Sequence, residues 1–311
     1  MSHAMRRFRA AAWVWVALGP TTAPTMLAAE PPGGARCAGD PHPAGFRTYE
    51  ISAGAAPGRY LLFVPRSYEG TTPVPVIFDF HGSGSDPWEE LRLSGMDAVA
   101  ERYGFVLLLP FARVPFATGG YTWNTPAVGG RPDDVRLVAE ILEDVRRRVC
   151  VESGRVYLTG FSGGARLASR VACALSDRVA AAALVGGVRA PEGCGKASIP
   201  VLAVHGTEDP INPYDGGGPP YWGHGVDSAM AGWVAQNGCR RAPREVRRSP
   251  QIMERSFPDC RDGSTVVMYR VLGGGHTWPG SGLELPRERF GRATDELEVT
   301  LVIGEFFAAH R

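Results

Sequence analysis

The segment Gly160-Phe161-Ser162-Gly163-Gly164 has the residue types and spacing of a nucleophile elbow. An apolar run typical of a β-strand precedes it, and a run typical of a helix begins at Ala165. In such an elbow the serine lies on a strained turn, and the glycines let the backbone pass close to its neighbours. The sequence therefore predicts that Ser162 is a catalytic nucleophile. A purely structural glycine turn between a strand and a helix is the alternative interpretation.

Three further segments complete the chain order of an α/β-hydrolase, which is oxyanion loop, serine, acid and histidine. The first is His81-Gly82-Ser83-Gly84, whose glycines let backbone N–H groups face a developing oxyanion. The acid segment, 205–210, follows the apolar run 201–204, and the histidine segment, 273–278, follows the run 266–272. Each group is thus predicted at the carboxyl end of a strand.

His276 is the predicted general base, because it is the histidine that ends a strand after the acid segment. The three glycines before it can bring the backbone close to the serine turn. His81 and His205 also follow apolar runs, but a structural hydrogen bond is the interpretation that we favour for them. His224, in a loop rich in Gly and Pro, is a weaker alternative base.

Asp209 is the predicted acid, since Pro210 fixes the turn immediately after it and projects the carboxylate from the strand end. Glu208 and Asp215 are the alternatives. With Ser162 and His276, Asp209 would complete a Ser-His-Asp triad.

An alternation of strands and helices is predicted along the rest of the chain. The apolar runs that predict strands are 60–64, 74–80, 105–109, 155–159, 180–185, 201–204 and 266–272. Helical patterns lie near 87–103, 133–149, 165–175, 226–237 and 294–309, with Asp86 and Asp133-Asp134 as favourable helix starts. This alternation predicts an α/β-hydrolase fold with a mostly parallel central sheet and helices on both faces.

The N-terminal residues have the pattern of a signal peptide, predicted over residues 1–29. Arginines 6, 7 and 9 precede a short apolar stretch, and Ala28-Ala29 offers a cleavage point. An uncleaved amphiphilic tail is the alternative. A single catalytic domain over 30–311 and a secreted protein, extracellular or periplasmic, are therefore expected. The net charge of +1 gives no reason to expect a nucleic acid or a membrane as a partner.

The chain has six cysteines, an even number that suits three disulfides in an exported protein. Cys239 with Cys260 and Cys173 with Cys194 are reasonable pairs by position, which leaves Cys37 with Cys150 by elimination. Other connectivities stay open, and free buried cysteines are the alternative if there is no leader. No cysteines show C-x-x-C spacing, and neither a metal nor an organic cofactor is expected.

The chain resembles the secreted esterases related to polyhydroxybutyrate depolymerases and feruloyl esterases. The likeness runs in order over nearly the whole chain after the leader. It is carried by Phe80-His81-Gly82, Ser94-Gly95-Met96-Asp97, Tyr103-Gly104-Phe105-Val106, Trp123-Asn124, Asp133-Asp134-Val135, the elbow, 205–210, Tyr214-Asp215-Gly216-Gly217, Asn237-Gly238-Cys239 and 274–280.

The resemblance implies a triad of Ser162, Asp209 and His276, with oxyanion N–H groups from Gly163 and Ser83. Members of this group commonly carry cysteine after the His-Gly of the oxyanion loop, and Ser83 stands there in this chain. A backbone donor survives that change, whereas a bond made by a thiol does not.

Aromatic residues in the loops at the carboxyl edge are the predicted substrate contacts. Trp123 and Trp278 belong to family-like segments that flank the expected cleft, and Tyr214 lies in a further loop. Local packing anchors are the alternative role for each of them.

The predicted function is a secreted serine carboxylic-ester hydrolase that cleaves short-acyl or hydroxycinnamoyl esters through an acyl-enzyme. An open cleft would also suit an ester displayed on a polymer. The alternatives are an extracellular polyhydroxyalkanoate depolymerase, which is disfavoured because no appended polymer-binding domain is expected, and a serine peptidase, disfavoured for want of a gating domain. A catalytically silent α/β-hydrolase that acts as a binding module is the alternative from another class.

Overall fold

The computed structural model describes Cys37 and residues 42–53 and 56–310. The predicted leader lies outside them. In chain order the described strands are β1 (Gly45–Ala53), β2 (Ala56–Val64), β3 (Val74–Phe80), β4 (Val106–Pro110), β5 (Val114–Pro115), β6 (Tyr121–Thr122), β7 (Val151–Phe161), β8 (Val179–Val185), β9 (Val201–Gly206), β10 (Arg244–Arg247), β11 (Ile252–Phe257) and β12 (Val266–Val271).

Ten of the described strands form one sheet in the order β1-β2-β4-β3-β7-β8-β9-β12-β11-β10, and β5 pairs with β6 separately. From β4 to β12 neighbouring strands are parallel, whereas β1-β2-β4 and β12-β11-β10 pair in antiparallel fashion. The central strands are buried along almost their whole length, as strands covered on both faces must be. The predicted mostly parallel central sheet is confirmed.

Helices cover both faces of this sheet. In chain order they are α1 (Pro87–Ser94), α2 (Met96–Tyr103), α3 (Asp134–Arg148), α4 (Gly163–Ala174), α5 (Val226–Gln236), α6 (Arg287–Phe290) and α7 (Val299–Ala309). Because side chains alternate across a strand, Leu108 of β4 joins the core that contains α3 and α4, and Leu107 joins the core that contains α2 and α7. The α/β-hydrolase prediction is therefore confirmed.

Two predicted helices have different bounds in the structure. The predicted helix 87–103 is two helices, because Gly95 adopts a left-handed conformation (φ 59°) that ends α1. The helix predicted near 294–309 begins only at Val299. Asp86 and Asp133 cap α1 and α3, and each carboxylate accepts two backbone N–H bonds, as their positions predicted.

The strands that the sequence pattern did not predict are β1, β5, β6, β10 and β11. They are edge or hairpin strands; in β1, for example, several side chains are exposed. Continuous apolar runs are typical of strands that are buried on both faces. Edge and hairpin strands have exposed side chains, so they lack such runs.

Three disulfides join Cys37 to Cys150, Cys173 to Cys194 and Cys239 to Cys260, which are the pairs expected from position and elimination. Every cysteine of the chain is thereby paired. Among the described residues, none of the helices combines the length and apolar character that a bilayer crossing requires.

Candidate active site

Ser162 lies on a strained turn between β7 and α4. Its φ of 54° and ψ of −112° place a non-glycine residue in a region that L-residues rarely occupy. Its backbone N–H donates to the carbonyl of Val185 (2.9 Å), which fixes the turn against β8. A Cβ at Gly164 would collide with the carbonyl oxygen of Phe80, so the glycine is required where the elbow passes over β3.

Asp209 lies beyond the end of β9 and faces two imidazoles. Its Oδ2 lies 2.7 Å from Nδ1 of His276 and 3.2 Å from Nε2 of His205. Its Oδ1 accepts the backbone N–H groups of Ile211 and Asn212, both at 2.8 Å. Both oxygens of the carboxylate thus have partners, and Oδ2 faces the ring of His276. Neither Glu208 nor Asp215 has a hydrogen bond to that ring among the described residues.

His276 lies against the elbow. Its ring centroid is 4.7 Å from that of Phe161, the residue before Ser162, and both Ser162 and His276 line the same cavity. The ring is buried, and its Nδ1 is engaged by Asp209, which leaves Nε2 as the nitrogen that can exchange a proton with a reacting group. The structure therefore brings the predicted nucleophile, base and acid together.

Burial and hydrogen bonding shift the pKa values of this cluster. Burial lowers the pKa of His276 below its usual value, although the bond to Asp209 opposes the shift. For Asp209, burial alone would raise the pKa, but the hydrogen bonds from His205 and His276 outweigh it and lower the pKa. At neutral pH the site therefore holds an ionised carboxylate beside a neutral imidazole, as general-base chemistry requires.

Ser83 and Gly163 adjoin each other beside the nucleophile. A Cβ at Gly163 would collide with Oγ of Ser83 and would lie 3.1 Å from the backbone nitrogen of Ser83. Gly163 begins α4, so its N–H group is one of those at a helix start that have no partner within the helix. The Ser83 hydroxyl bonds to Oγ1 of Thr122 (2.6 Å), a contact that fixes the loop where the resembling family commonly has cysteine.

A pair of buried carboxyl groups beneath this loop was not predicted from the sequence. Oε2 of Glu90 accepts the N–H of Gly82 (3.2 Å), and the backbone of Phe161 lies close enough to the same carboxyl group to act on its pKa. The side chain of Glu90 also bonds to Asp79, whose Oδ2 accepts from Ser94 (2.7 Å). Glu90 thus ties the oxyanion loop to the elbow.

Burial raises the pKa of both carboxyl groups, that of Asp79 to about 7, and the charge of Asp79 raises the pKa of Glu90 further. Asp79 Oδ1 and Glu90 Oε1 have no other partner among the described residues, and one proton shared by the pair would satisfy both. A glutamate in the first turn of an amphipathic helix looks solvated in the sequence, so no pattern could have revealed it.

The cavity above Ser162 has a volume of about 760 Å³. Its floor is made by the elbow, the oxyanion loop and His276, and its walls come from the loops around β5 and β6, the segment before α6, and Tyr221. The aromatic and larger aliphatic side chains that line the cavity are Leu93, Phe116, Trp123, Val128, Phe161, Ile211, Tyr221, Leu283, Leu285 and Phe290. Such a mixture of apolar walls and a few convergent polar groups is typical of a small-molecule site.

The three predicted aromatic contacts have different positions. Trp123 forms part of the cavity wall, but its side chain is buried (2% exposed) and its Nε1 donates to the carbonyl of His81 (2.7 Å). Tyr214 and Trp278 are not among the cavity-lining residues; their polar atoms donate to Asp227 (2.8 Å) and Thr300 (3.0 Å). The structure therefore does not bring Tyr214 and Trp278 to the cavity, because both are used in core packing. Phe116 and Tyr221, which are aromatic residues of the same predicted loops, line the cavity instead, together with Phe290.

His81 and His205 make structural hydrogen bonds, as expected. His81 contacts the carbonyl of Gly82 (2.8 Å) and the N–H of Ala112 (3.1 Å), and burial lowers its pKa to about 4. His205 contacts the carbonyl of Asn212 (2.8 Å) in addition to Asp209. Within the described ranges, no three His, Cys, Asp or Glu side chains are grouped so that they could hold a metal ion.

Comparison with known proteins gives concordant results. Residues 59–216 match the family described as Esterase PHB depolymerase. Feruloyl esterase B of Piromyces equi is 27% identical over 70% of this chain and 42% of its own length, so this chain spans less than half of that relative. A probable feruloyl esterase C of Aspergillus niger is 29% identical over 70% of this chain and 75% of its own length.

Among solved structures, an acetyl xylan esterase from Aspergillus awamori superposes with a TM-score of 0.60, covering 84% of this chain and 99% of that one. The sequence identity is 14%, so this likeness concerns the fold. The family match covers more than half of the chain and contains the oxyanion loop, the elbow and Asp209. This chain therefore belongs to the esterase family of the polyhydroxybutyrate depolymerases, and it is a serine carboxylic-ester hydrolase.

Proposed function

We propose that Ser162 is the nucleophile, His276 the general base and Asp209 the acid of this hydrolase. Oγ of Ser162 attacks the ester carbonyl while Nε2 of His276 accepts the hydroxyl proton. The same nitrogen then protonates the leaving alcohol, and water hydrolyses the acyl-enzyme by the reverse sequence. The observation that carries this proposal is the 2.7 Å contact between Asp209 Oδ2 and His276 Nδ1, at a ring that shares a cavity with Ser162.

The backbone N–H groups of Ser83 and Gly163 are the proposed oxyanion donors. Their proximity beside the nucleophile supports this role, and the N-terminus of α4 adds a favourable dipole. Such donors act on the charge that develops in the tetrahedral intermediate, and removal of one typically costs a factor of about 10² to 10³ in kcat.

The proposed substrates are short-acyl or hydroxycinnamoyl esters, either free or linked to a polymer. The names of the feruloyl esterase relatives favour this class, and the cavity supports it. Phe116 and Phe290 are half-buried in its walls, where a phenolic ring could pack against them.

A test of the triad is labelling by a fluorophosphonate, which reacts with an activated serine. Wild-type protein should be labelled once, and Ser162→Ala should lose both the label and a factor of about 10⁴ or more in kcat. Ser153→Ala is the matched control, because Ser153 lies exposed at the other end of the same strand. If folded Ser162→Ala retained most of the activity, the assignment would be wrong, and absence of labelling in the wild type would favour the silent binding module.

A second test compares soluble methyl ferulate, an acetyl ester and a polyhydroxybutyrate film. Phe116→Ala should reduce kcat/KM several-fold more for the ferulate than for the acetyl ester, since an aromatic contact contributes about 0.5–1.5 kcal/mol beyond its buried area. Clearing of the film at rates comparable to soluble ester hydrolysis, with no differential effect of Phe116→Ala, would favour the depolymerase alternative.

An exported protein, extracellular or periplasmic, is the proposed location. Three disulfides support it, because such bonds persist in oxidising compartments. Thiol titration of the unreduced, denatured protein purified from its native source should find no free thiol. Six free thiols would contradict the proposal.

A further inference from the structure

Arg166 is a buried cation one helical turn beyond the nucleophile. Its backbone N–H donates to the carbonyl of Ser162 (3.1 Å), so its side chain rises from the first turn of α4. Side chains on a helix lean towards its N-terminus, and the guanidinium accordingly reaches back to the oxyanion loop. Arg166 is only 5% exposed, and it lines the same cavity as Ser162 and His276.

The guanidinium of Arg166 has few partners for a charge so deeply buried. Nη2 donates a long hydrogen bond to Oγ of Ser83 (3.3 Å), and the ring of Tyr221 covers one face, with its centroid 4.5 Å from Cζ. Nε and Nη1 have no hydrogen-bond partner among the described residues. None of the described carboxylates lies within ion-pair distance of it. Of the more distant charged groups that act on it, Arg189 is a like charge, and Asp209 already contacts two histidines.

A buried charge without a partner is costly, and proteins usually place a counter-ion beside it. Another largely buried arginine of the described residues follows that rule, since Arg113 lies 3.6 Å from the carboxylate of Asp134. Burial lowers the pKa of Arg166 to about 10, so the group is still a cation at neutral pH. The triad chemistry therefore does not explain why Arg166 has no carboxylate beside it among the described residues.

The other charges of the cavity reinforce this positive character. Arg92, Arg131 and Arg289 line it, against Glu89 and Glu90. Burial and the nearby Asp79 raise the pKa of Glu90, which favours its protonated form, so Glu90 offsets little of this charge. A cavity with this balance attracts anions.

We propose that Arg166 is a specificity-determining residue that binds a carboxylate carried by the ester substrate, on its acyl or its alcohol part, a few bonds from the scissile carbonyl. The inference rests on the proposed function, because it takes Ser162 as the point of attack. Nε and Nη1 of a guanidinium can donate to a carboxylate, and such charge-assisted bonds are strong where water is largely excluded. Tyr221 and Ser83 hold the guanidinium in place, so that little further ordering is needed on binding.

The short reach of Arg166 limits where the carboxylate can be. The guanidinium nitrogen Nη2 would lie 3.3 Å from a Cβ at Gly163, one of the two proposed oxyanion donors. A substrate carbonyl in the oxyanion hole therefore lies only a few bonds from the free nitrogens. Half-esters of short dicarboxylic acids and acyl esters of short hydroxy acids have this spacing.

The test uses two pairs of esters in which the carboxylate is replaced by an amide of nearly the same shape. Monoethyl succinate and ethyl succinamate probe the acyl side; 3-acetoxybutyrate and 3-acetoxybutyramide probe the alcohol side. The wild-type protein should hydrolyse the anionic member of at least one pair with a kcat/KM at least tenfold higher, measured by pH-stat at pH 7.5 and low ionic strength.

Arg166→Gln should reduce that ratio to about one, and Arg166→Lys should retain part of it, since a point charge remains without the fork of donors. Arg170→Gln is the matched control, because Arg170 lies one turn further along α4 and is not among the cavity-lining residues. Its ratio should equal that of the wild type. Each ratio is taken within one variant, so a general loss of activity cancels.

A wild-type ratio near one for both pairs would overturn the proposal, and this measurement needs no variant to fold. A preference that survives Arg166→Gln would also overturn it, because the charge would then act from elsewhere in the cavity. An equal loss on both members of each pair, with no wild-type preference, would identify Arg166 as an aid to the oxyanion instead. Failure of the proposed function would give a different result from all of these. In that case Ser162→Ala would hydrolyse the neutral ester ethyl butyrate as fast as the wild type does.

Discussion

Asp209 and His205 form a second carboxylate–imidazole contact behind the proposed triad, with Nε2 of His205 3.2 Å from Oδ2 of Asp209. That nitrogen also lies 2.8 Å from the carbonyl of Asn212, and both side chains are buried. Because a carbonyl can only accept, Nε2 of His205 must carry the hydrogen that bonds to Asn212, and the same nitrogen lies beside the oxygen that Asp209 presents to His276. His205 therefore supports the charge on Asp209 at the same oxygen that contacts the proposed base.

His205→Phe should lower kcat/KM about tenfold, because Asp209 loses one charge-assisted bond and orients His276 less well. His205→Gln, whose amide can still donate, should lose less. Steady-state kinetics on one neutral ester, with circular dichroism as the control for folding, measures both. Full activity in a folded His205→Phe protein would show that the second imidazole has no effect on Asp209.

The acid limb of the pH–activity profile should lie below the usual histidine pKa of 6.5. His276 must be neutral to accept a proton from Ser162, and burial lowers its pKa, so the base stays competent further into the acid range. On a neutral ester, kcat/KM should fall about tenfold per pH unit below the apparent pKa. Asp209→Asn removes the interaction that raises the pKa of His276, so the limb should move to lower pH as activity falls. An apparent pKa above 7 in the wild type would contradict the role of burial.

Gly164→Ala should destabilise the protein by about 2–3 kcal/mol, because its Cβ would collide with the backbone of Phe80 where rigid elements meet. Gly129→Ala is the matched control, since a Cβ there has nothing within 4 Å, and its effect should stay within about 0.5 kcal/mol. Urea unfolding of both variants measures the difference. Equal stability of the two variants would mean that the elbow tolerates a side chain at this point.

The Asp79–Glu90 pair should make stability decrease as the pH rises. Each carboxyl has a higher pKa in the folded protein than in the unfolded chain, so its contribution is full below the unfolded value and is lost as the pH rises through the folded value, about 7 for Asp79. Asp79→Asn needs no proton to bond to Glu90. Its melting temperature relative to the wild type should therefore increase between pH 5 and pH 8.

An exposed aspartate provides the comparison for that measurement. Asp177→Asn, at a side chain 78% exposed, should show no such change in relative melting temperature between the two pH values. A constant difference between Asp79→Asn and the wild type across this range would indicate that the buried pair holds no extra proton.

The sequence by itself was enough to predict which reactive side chains follow the ends of the strands. Apolar runs buried on both faces are long and continuous, so β3, β7, β9 and β12 could be recognised, and the motif that follows each run could be placed at one edge of the sheet. Chain order then selected Ser162, Asp209 and His276 from many candidates, and local turn chemistry favoured Asp209 over Glu208. These inferences need only neighbours in the chain, which is why a sequence can support them.

Contacts between distant segments were decided only by the tertiary structure. Trp278 follows His276 by two residues, yet it packs into the core, whereas Phe116 reaches the cavity from a loop far away in the chain. Glu90 and Arg166 look like solvated charges on amphipathic helices, and each is buried because an oxyanion loop, itself distant in sequence, covers it. Burial depends on what packs against a residue, and a linear pattern does not carry that information.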